Sequence, residues 1–454
     1  MNNSQIAAAI AAILGTAAGS AALAQSATTP TQAAAPSVSL YIAGSSAAAK
    51  GVLASLESDL CSSAYLLFES TSNKNFFAVS CIPAAGKAGA NGTDPYTVWY
   101  RDEGGSVVGA LPIASGYGPK QLDLTQLTAC ATNPCIPTIT GSSTANGVDD
   151  SFAGALAGHT VDFGILDVEP AVFGAASKNN YPSAYSTTVW GAPALTTIGG
   201  LPDGTLFDEI YGIFVNNTSL TEGGSAVSTA NPLKLSKQMV ARILTHDVTN
   251  WSLVTDITGN PVASSSVPVV IVNREQGSGS RAATDLLITG DSCQSQGKAL
   301  SEQNIAGKNP VNVDYFATGD VLGAANTITG AITYATVDQT ASALSIVSLN
   351  GIAPSPLAAA TGQYDFWVEA TYIQNPNTTF TAPQTSLINF LISELQTVGT
   401  APHLVDINAI PNSHNTASAT LSGNTAVAAL GGATIYVNPF TRGGVTCNVP
   451  TYVP

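Results

Sequence analysis

Charge is what this chain has least of. Only 9% of its 454 residues are Asp, Glu, Lys or Arg, against the ~25% usual in soluble domains. Fourteen Lys and Arg face 29 acids, for a formal net charge of −15. That balance excludes a nucleic-acid backbone as partner, because phosphate backbones are bound by clustered cations. It does not exclude a small anion, since a site of backbone dipoles and one arginine acts locally. Histidine is scarce too: His159, His246, His403 and His414 stand apart without metal-ligand spacing. The six cysteines form neither CxxC pairs nor Cys-His zinc patterns. There is no P-loop and no Gly-x-Ser-x-Gly nucleophile elbow. An enzyme reading, such as a secreted phosphatase, lacks a metal set or an activated nucleophile with its base. No enzyme and no cofactor is expected. Beyond residue 24 no apolar run is long enough to cross a bilayer.

What the chain does have is 45% hydrophobic residues, ample for a core, and a surface vocabulary of Ala, Gly, Ser and Thr typical of exported proteins. Its length suits two or three domains. Residues 1–24 read as a secretory signal: an apolar stretch over 6–14, then small residues to Ala22-Leu23-Ala24. The first five residues carry no Lys or Arg, so an alanine-rich membrane anchor is the competing reading. Residues 25–37, rich in Thr, Ala, Gln and Pro, read as a flexible linker. The mature chain is expected to be periplasmic, secreted or at the cell surface.

In an exported chain six cysteines imply disulfides, with the connectivity open. Cys130 and Cys135 bracket the turn sequence Ala-Thr-Asn-Pro, and Cys61 and Cys81 flank a hairpin-like region. Cys293 and Cys447 remain, and would pin the tail to the body. The expected set is Cys61–Cys81, Cys130–Cys135 and Cys293–Cys447.

Strand, turn with Gly, Ser or Asp, then helix recurs along the chain. Strands are expected over 38–42, 96–100 and 161–166, and helices over 47–60, 151–157 and 233–244. That alternation predicts α/β layering, with ligands collecting beyond the carboxyl ends of the strands. The most telling stretch is 271–287. A strand-like run leads into Arg274, a Gly277-Ser278-Gly279-Ser280 turn follows, and a helix begins. Such a turn aims N–H groups and hydroxyls at one point with a helix dipole behind them. Arg274 adds a planar fork of donors suited to a tetrahedral oxyanion. An ordinary turn with a surface arginine is the plain alternative.

With those turns in view, the chain resembles the periplasmic phosphate-binding proteins of ABC transporters. Arg274-Glu275-Gln276-Gly277-Ser278-Gly279-Ser280 is similar to the family's Arg-x-Asp-Gly-Ser-Gly-Thr phosphate loop. Val161-Asp162-Phe163-Gly164-Ile165-Leu166-Asp167 resembles its Val-Asp-Phe-Gly-x-x-Asp segment, and Gly330-Ala331-Ile332-Thr333-Tyr334 its Gly-Ala-Ile-Gly-Tyr. Ile243-Leu244-Thr245 through Asn250-Trp251 resembles the helix end before the phosphate loop. The matches keep the family's order over residues 38–395.

The resemblance implies a two-lobed, Venus-flytrap α/β fold with a central cleft. Lobe I would comprise residues 38–217 and 366–454, with an insertion over 112–150, and lobe II residues 218–365. Carried over by position, Arg274, Ser278, Gly279 and Ser280 would hold the ligand from lobe II. Asp167 would face it from lobe I, with the Ser46 hydroxyl, the Ala47 amide and Ser106 as donors. An ungapped count back from Asp167 lands instead on Asp149, a poor anion ligand. Asp167 also suits a helix N-cap, given Pro170, and Trp251 and Tyr334 suit packing.

The chain departs from the pattern where Gln276 replaces an acid, and where Asp102, Glu103, Asp149 and Asp150 add negative charge near the cleft. Two functions are therefore expected to compete. One is a solute-binding protein for phosphate or a related oxyanion, delivering it to an ABC permease. The other is a secreted surface or matrix protein using the same fold for adhesion or assembly.

Overall fold

The computed structural model describes residues 26–453 except 63, 71–73, 142–149, 175–184, 292, 294–296, 302–313, 397–403, 405–407, 413–425 and 431–432. The signal segment 1–24, Asp149, His403 and His414 therefore lie outside the described residues. The fold is α/β, built on one twelve-stranded mixed sheet.

Eight strands carry the argument: β1 (Val38–Gly44), β2 (Phe76–Ile82), β3 (Tyr96–Arg101), β4 (Phe163–Leu166), β5 (Gly204–Asn216), β6 (Val270–Ile271), β7 (Ala331–Thr336) and β8 (Trp367–Gln374). Their order across the sheet is β2-β3-β1-β4-β8-β5-β7-β6. β3, β1 and β4 are mutually parallel, so the turns that follow them open at one edge. β6 and β7 are parallel as well. The helices are α1 (Ala49–Ala54), α2 (Lys237–Leu244), α3 (Gly279–Thr284), α4 (Thr318–Thr327) and α5 (Ala382–Gln396).

β5 joins the two ends of this sheet. Its first half pairs β8, from Gly204↔Tyr372 to Ile210↔Trp367. Its second half pairs β7, from Tyr211↔Thr336 to Val215↔Ile332. The residues Leu206 to Asn216 are all buried, which is the near-continuous apolar pattern of a strand covered on both faces. Asp208 and Glu209 interrupt that pattern, and both are buried.

Hydrophobic residues cover both faces of the sheet. α5 lays Leu387, Ile388, Leu391 and Leu395 against the core that also holds Leu40, Ile42 and Val52. α2 turns Val240, Ile243 and Leu244 toward Ile213, Ile271 and Ile332. α2 begins at Lys237 and not at 233, because Ser236 caps it, its Oγ accepting from Met239 N at 3.1 Å. Lys234–Leu235 is instead a short strand on Ser348–Leu349.

Two expectations are corrected here. The helix expected over 151–157 is a pair of short strands, Ala153–Gly154 and Leu156–Gly158, facing Ile139–Thr140 and Lys120–Leu122. Gly154 explains the change: its φ is +114° and a β-carbon there would lie 2.1 Å from Thr138 O, a conformation and a fit that suit glycine. The expected linker 25–37 is structured too. It holds the strand Ser26–Ala27 on β2 and the helix Pro30–Ala34, closed by a Thr29–Gln32 capping box with Ala33 wholly buried.

The three disulfides are Cys61–Cys81, Cys130–Cys135 and Cys293–Cys447, with Cα separations of 5.7, 5.9 and 5.2 Å. The last fastens the tail near a buried clamp. The Arg442 guanidinium donates to the carbonyls of Trp367 (3.2 Å), Asp365 (2.7 Å) and Asn448 (2.6 Å) and stacks 4.7 Å over the Trp367 ring. Glu369 accepts from the amides of Arg442 (3.0 Å) and Gly444 (2.7 Å). No helix among the described residues is long and apolar enough to cross a membrane.

Candidate anion-binding site

The turns after β1, β3 and β4 meet the loop that begins at Arg274. Each contributes backbone geometry that its sequence dictates. After β1, Gly44 takes φ +133°, and a β-carbon there would lie 1.9 Å from Ile165 O. This lets Ser45 N reach that carbonyl at 2.7 Å. Ser45 Oγ then accepts from the amides of Ala47 and Ala48, both at 3.1 Å. The Ala47 amide, expected as a ligand donor, is thus engaged within its own turn. Ser46 Oγ lies 3.2 Å from Thr318 Oγ1 at the start of α4.

After β3, Gly104 and Gly105 both adopt positive φ and set Ser106 at the head of a short 3-10 turn, Ser106–Gly109. Ser106 is fully buried. Its Oγ accepts from Asp167 N at 3.1 Å, while Val107 N donates across to Gly277 O at 3.0 Å. Ser106 and Asp167 therefore do come together, as the gapped reading requires.

Asp167 is only 2% exposed, and its Oδ1 is buried without a hydrogen-bond partner. It is not a helix cap: the helix Pro170–Phe173 has Glu169 at that position. Arg274 is 1% exposed, so the surface-arginine alternative fails. Its Nη1 donates to Thr318 Oγ1 at 2.5 Å and its Nη2 to Phe316 O. Its amide donates to the Tyr334 hydroxyl at 3.2 Å, and its carbonyl accepts from Arg281 at 2.6 Å. Arg274 Nε is left buried with no partner. Ser278 caps α3, its Oγ accepting from Arg281 N at 3.4 Å. Gly279 and Ser280 open the helix and are buried.

The two sides touch. A β-carbon on Gly105 would lie 3.2 Å from Arg274 Nη2, and one on Gly279 would lie 2.3 Å from Ser106 Oγ. Trp251 and Tyr334 are wholly buried. Trp251 packs, with its ring N–H on Gly330 O at 2.9 Å, whereas Tyr334 also supports the Arg274 backbone.

Acid groups crowd this place more than sequence reasoning expected. Asp102 is pushed up to about 8, first by burial and then by the charge of Glu103, with Arg274 opposing. Glu209, on β5, is raised well above the ordinary carboxyl range by burial and by Asp167. Tyr211 donates to Glu209 Oε2 at 2.9 Å. Glu209, Tyr211 and Thr318 were not among the expected site residues. The signal for Glu209 was two acids inside the apolar run Leu206-Phe207-Asp208-Glu209-Ile210-Tyr211, since buried carboxyls need a reason. Asp150, expected to add charge at the cleft, is instead neutralised by Arg101 at 2.7 Å, both side chains being fully buried. Among the described residues no cluster of His, Cys, Asp and Glu could hold a metal ion.

Comparison with known proteins gives the family context. Residues 213–394 match the model of a PBP superfamily domain. No curated protein matches the chain. A structure described as a phosphate ABC transporter substrate-binding protein with bound phosphate, from Clostridium perfringens, is 13% identical, covering 82% of this chain and 99% of that one, with a TM-score of 0.44. A phosphate-binding protein from Stenotrophomonas maltophilia is 11% identical over 83% of this chain and 91% of its own, with a TM-score of 0.40. PstS from Borrelia burgdorferi is 13% identical over 82% and 98%, with a TM-score of 0.35. The matched region 213–394 carries the end of β5, the Arg274 loop and β8.

Proposed function

We propose that the cleft between Asp167 and Arg274 binds phosphate or a closely related oxyanion, and that the chain is a solute-binding protein. One observation carries this reading. Asp167 Oδ1 is a buried acceptor without a donor, and Arg274 Nε is a buried donor without an acceptor. A protonated oxyanion supplies both at once, accepting from the guanidinium and donating to the carboxylate. Ser106, Ser46, Gly279 and Ser280 would line the same place, and Ser278 would orient the loop by capping α3. Residues 38–217 with 366–454 would form one lobe and 218–365 the other. The bound solute would then pass to an ABC permease from a periplasmic or extracellular position.

A second reading, a secreted surface or matrix protein, has its own support. The Ala47 amide is engaged internally, and direct contacts already bridge the two sides, including Lys50–Asp338 at 2.9 Å. Calorimetry with phosphate separates the two, on protein unfolded and refolded to strip any bound ligand. Binding at micromolar phosphate supports transport. No binding of phosphate or sulfate at millimolar concentration transfers the case to the surface-protein reading.

A further inference from the structure

Arg274 enters the cleft with both Nη atoms engaged and Nε without a partner. One short segment holds both of the engaged nitrogens. The strand Asn273–Arg274 runs parallel to Asp314–Tyr315, with Arg274 opposite Tyr315, and Glu275 N donates to Tyr315 O at 2.8 Å. That register carries the residues that follow, Phe316 and Thr318, alongside the arginine side chain. Nη2 donates to Phe316 O, and Nη1 to Thr318 Oγ1 at 2.5 Å. Thr318 opens α4, whose cap position is Ala317 and which no side chain caps. The Thr318 hydroxyl is therefore not spent on its own helix, as hydroxyls at helix starts commonly are. It faces Ser46 Oγ, from the turn after β1, at 3.2 Å.

Both acceptors on the Nη atoms are neutral oxygens, so they fix the guanidinium plane without cancelling its charge. A planar fork held at two of its nitrogens has one orientation, and the third nitrogen points where the other two dictate. Binding groups work only when their neighbours hold them to within about 0.5 Å of the productive geometry. We infer that Thr318 is a positioning residue of the anion site, one that aims Arg274 Nε at the oxyanion by accepting from Nη1. The inference rests on the anion-binding reading and adds to it a residue outside the motifs that suggested the site. Valine in this place keeps the branched shape and removes the acceptor. Nη1 is then a buried donor that must find another partner, and the fork turns away from its aim.

The test is calorimetry of the full chain with inorganic phosphate, after unfolding and refolding, for wild type, Thr318→Val and Thr318→Ser, each first checked for a cooperative thermal melt. Thr318→Val is expected to weaken phosphate about tenfold or more, while Thr318→Ser, which keeps the acceptor, stays within about threefold of wild type. In an Arg274→Lys background there is no fork to hold, and Thr318→Val is expected to cost less than about twofold, so that the two changes are not additive. An equal loss in both backgrounds overturns positioning through Arg274. Tighter binding by Thr318→Val overturns it too, since the threonine then competes with the anion for Nη1. Phosphate bound alike by wild type and Thr318→Val overturns the role of Thr318 and leaves the anion reading standing. Absence of phosphate binding in wild type overturns the anion reading and this inference with it. If the valine variant does not fold, Thr318→Ala and Thr318→Ser carry the test, because both lack the methyl and they differ by the hydroxyl alone. Equal affinities in that pair count against Thr318.

Discussion

Gly279 meets Asp167 with no room for a side chain between them: a β-carbon on Gly279 would stand 2.5 Å from Asp167 Oδ2. The same point would lie 2.3 Å from Ser106 Oγ. This is where the Arg274 loop closes on the turns of the first strands, and glycine is what the approach allows. Gly279→Ala is expected to hold the two sides apart. Small-angle scattering should show a larger radius of gyration, and phosphate affinity should fall at least about tenfold, or ~1.4 kcal/mol. Unchanged affinity and size would place the clash in a contact the protein does not use.

Selectivity follows from the proton inventory of Asp167. An ionised carboxylate can only accept, so the anion must bring a proton, as phosphate can at neutral pH and sulfate cannot. Facing sulfate, Asp167 becomes an unpaired repelling charge in a dry place. Phosphate should be preferred by roughly a hundredfold or more, about 2.7 kcal/mol. Asp167→Asn should narrow the gap, because the amide can donate. Paired titrations of both anions decide it.

Arg274→Ala should weaken both anions alike, by removing charge-assisted bonds worth about 1.5–3 kcal/mol each. It also strips a donor from Thr318 Oγ1 and from Phe316 O. Arg274→Lys keeps the charge and loses the fork, so it should recover only part of the affinity. Full recovery by lysine would show that charge alone is being read.

Stability should decline as pH rises from weak acid. Asp102 titrates at about 8, Glu394 at about 7 and Asp162 at about 6 in the folded chain, each raised mainly by burial. The unfolded carboxyls titrate near ~4. Between these limits the folded state binds more protons than the unfolded one, so unfolding becomes easier with increasing pH. The contribution is whole below the unfolded values and lost as pH climbs through the folded ones. Melting temperatures between pH 5 and 9 should fall, and Asp102→Asn should flatten the part nearest pH 8. A rise over this range in wild type would contradict the assignment.

The tail should matter to stability out of proportion to its size. Cys293 and Cys447 are 154 residues apart in sequence, and losing such a cross-link costs about 2–5 kcal/mol. Arg442→Ala removes the cation beside Glu369 and Asp208, and stranding buried charge in this way costs about 3–5 kcal/mol. Denaturant melts of Cys293→Ser/Cys447→Ser and of Arg442→Ala check both. Midpoints equal to wild type would mean the tail is an ornament.

Much of this protein could be read along the chain, because the information was local. Alternating strands and glycine-serine turns predict α/β layering, and the strand-turn-helix around Arg274 appears as β6, the Gly277 turn and α3. The helix expected over 151–157 failed for an equally local reason, the backbone that Gly154 adopts. What the sequence by itself determined is therefore the set of elements and the residue types at their ends. Tertiary structure alone decided which of these groups are already occupied. Ser45 takes up the Ala47 amide, Arg101 neutralises Asp150, and the linker region folds onto β2. It also decided that Glu209, an acid in an apolar strand, is buried and accepts from the Tyr211 hydroxyl at 2.9 Å. Hydrogen-bond satisfaction and the charge a group meets when water is excluded depend on neighbours brought from distant parts of the chain, and only the folded arrangement supplies them.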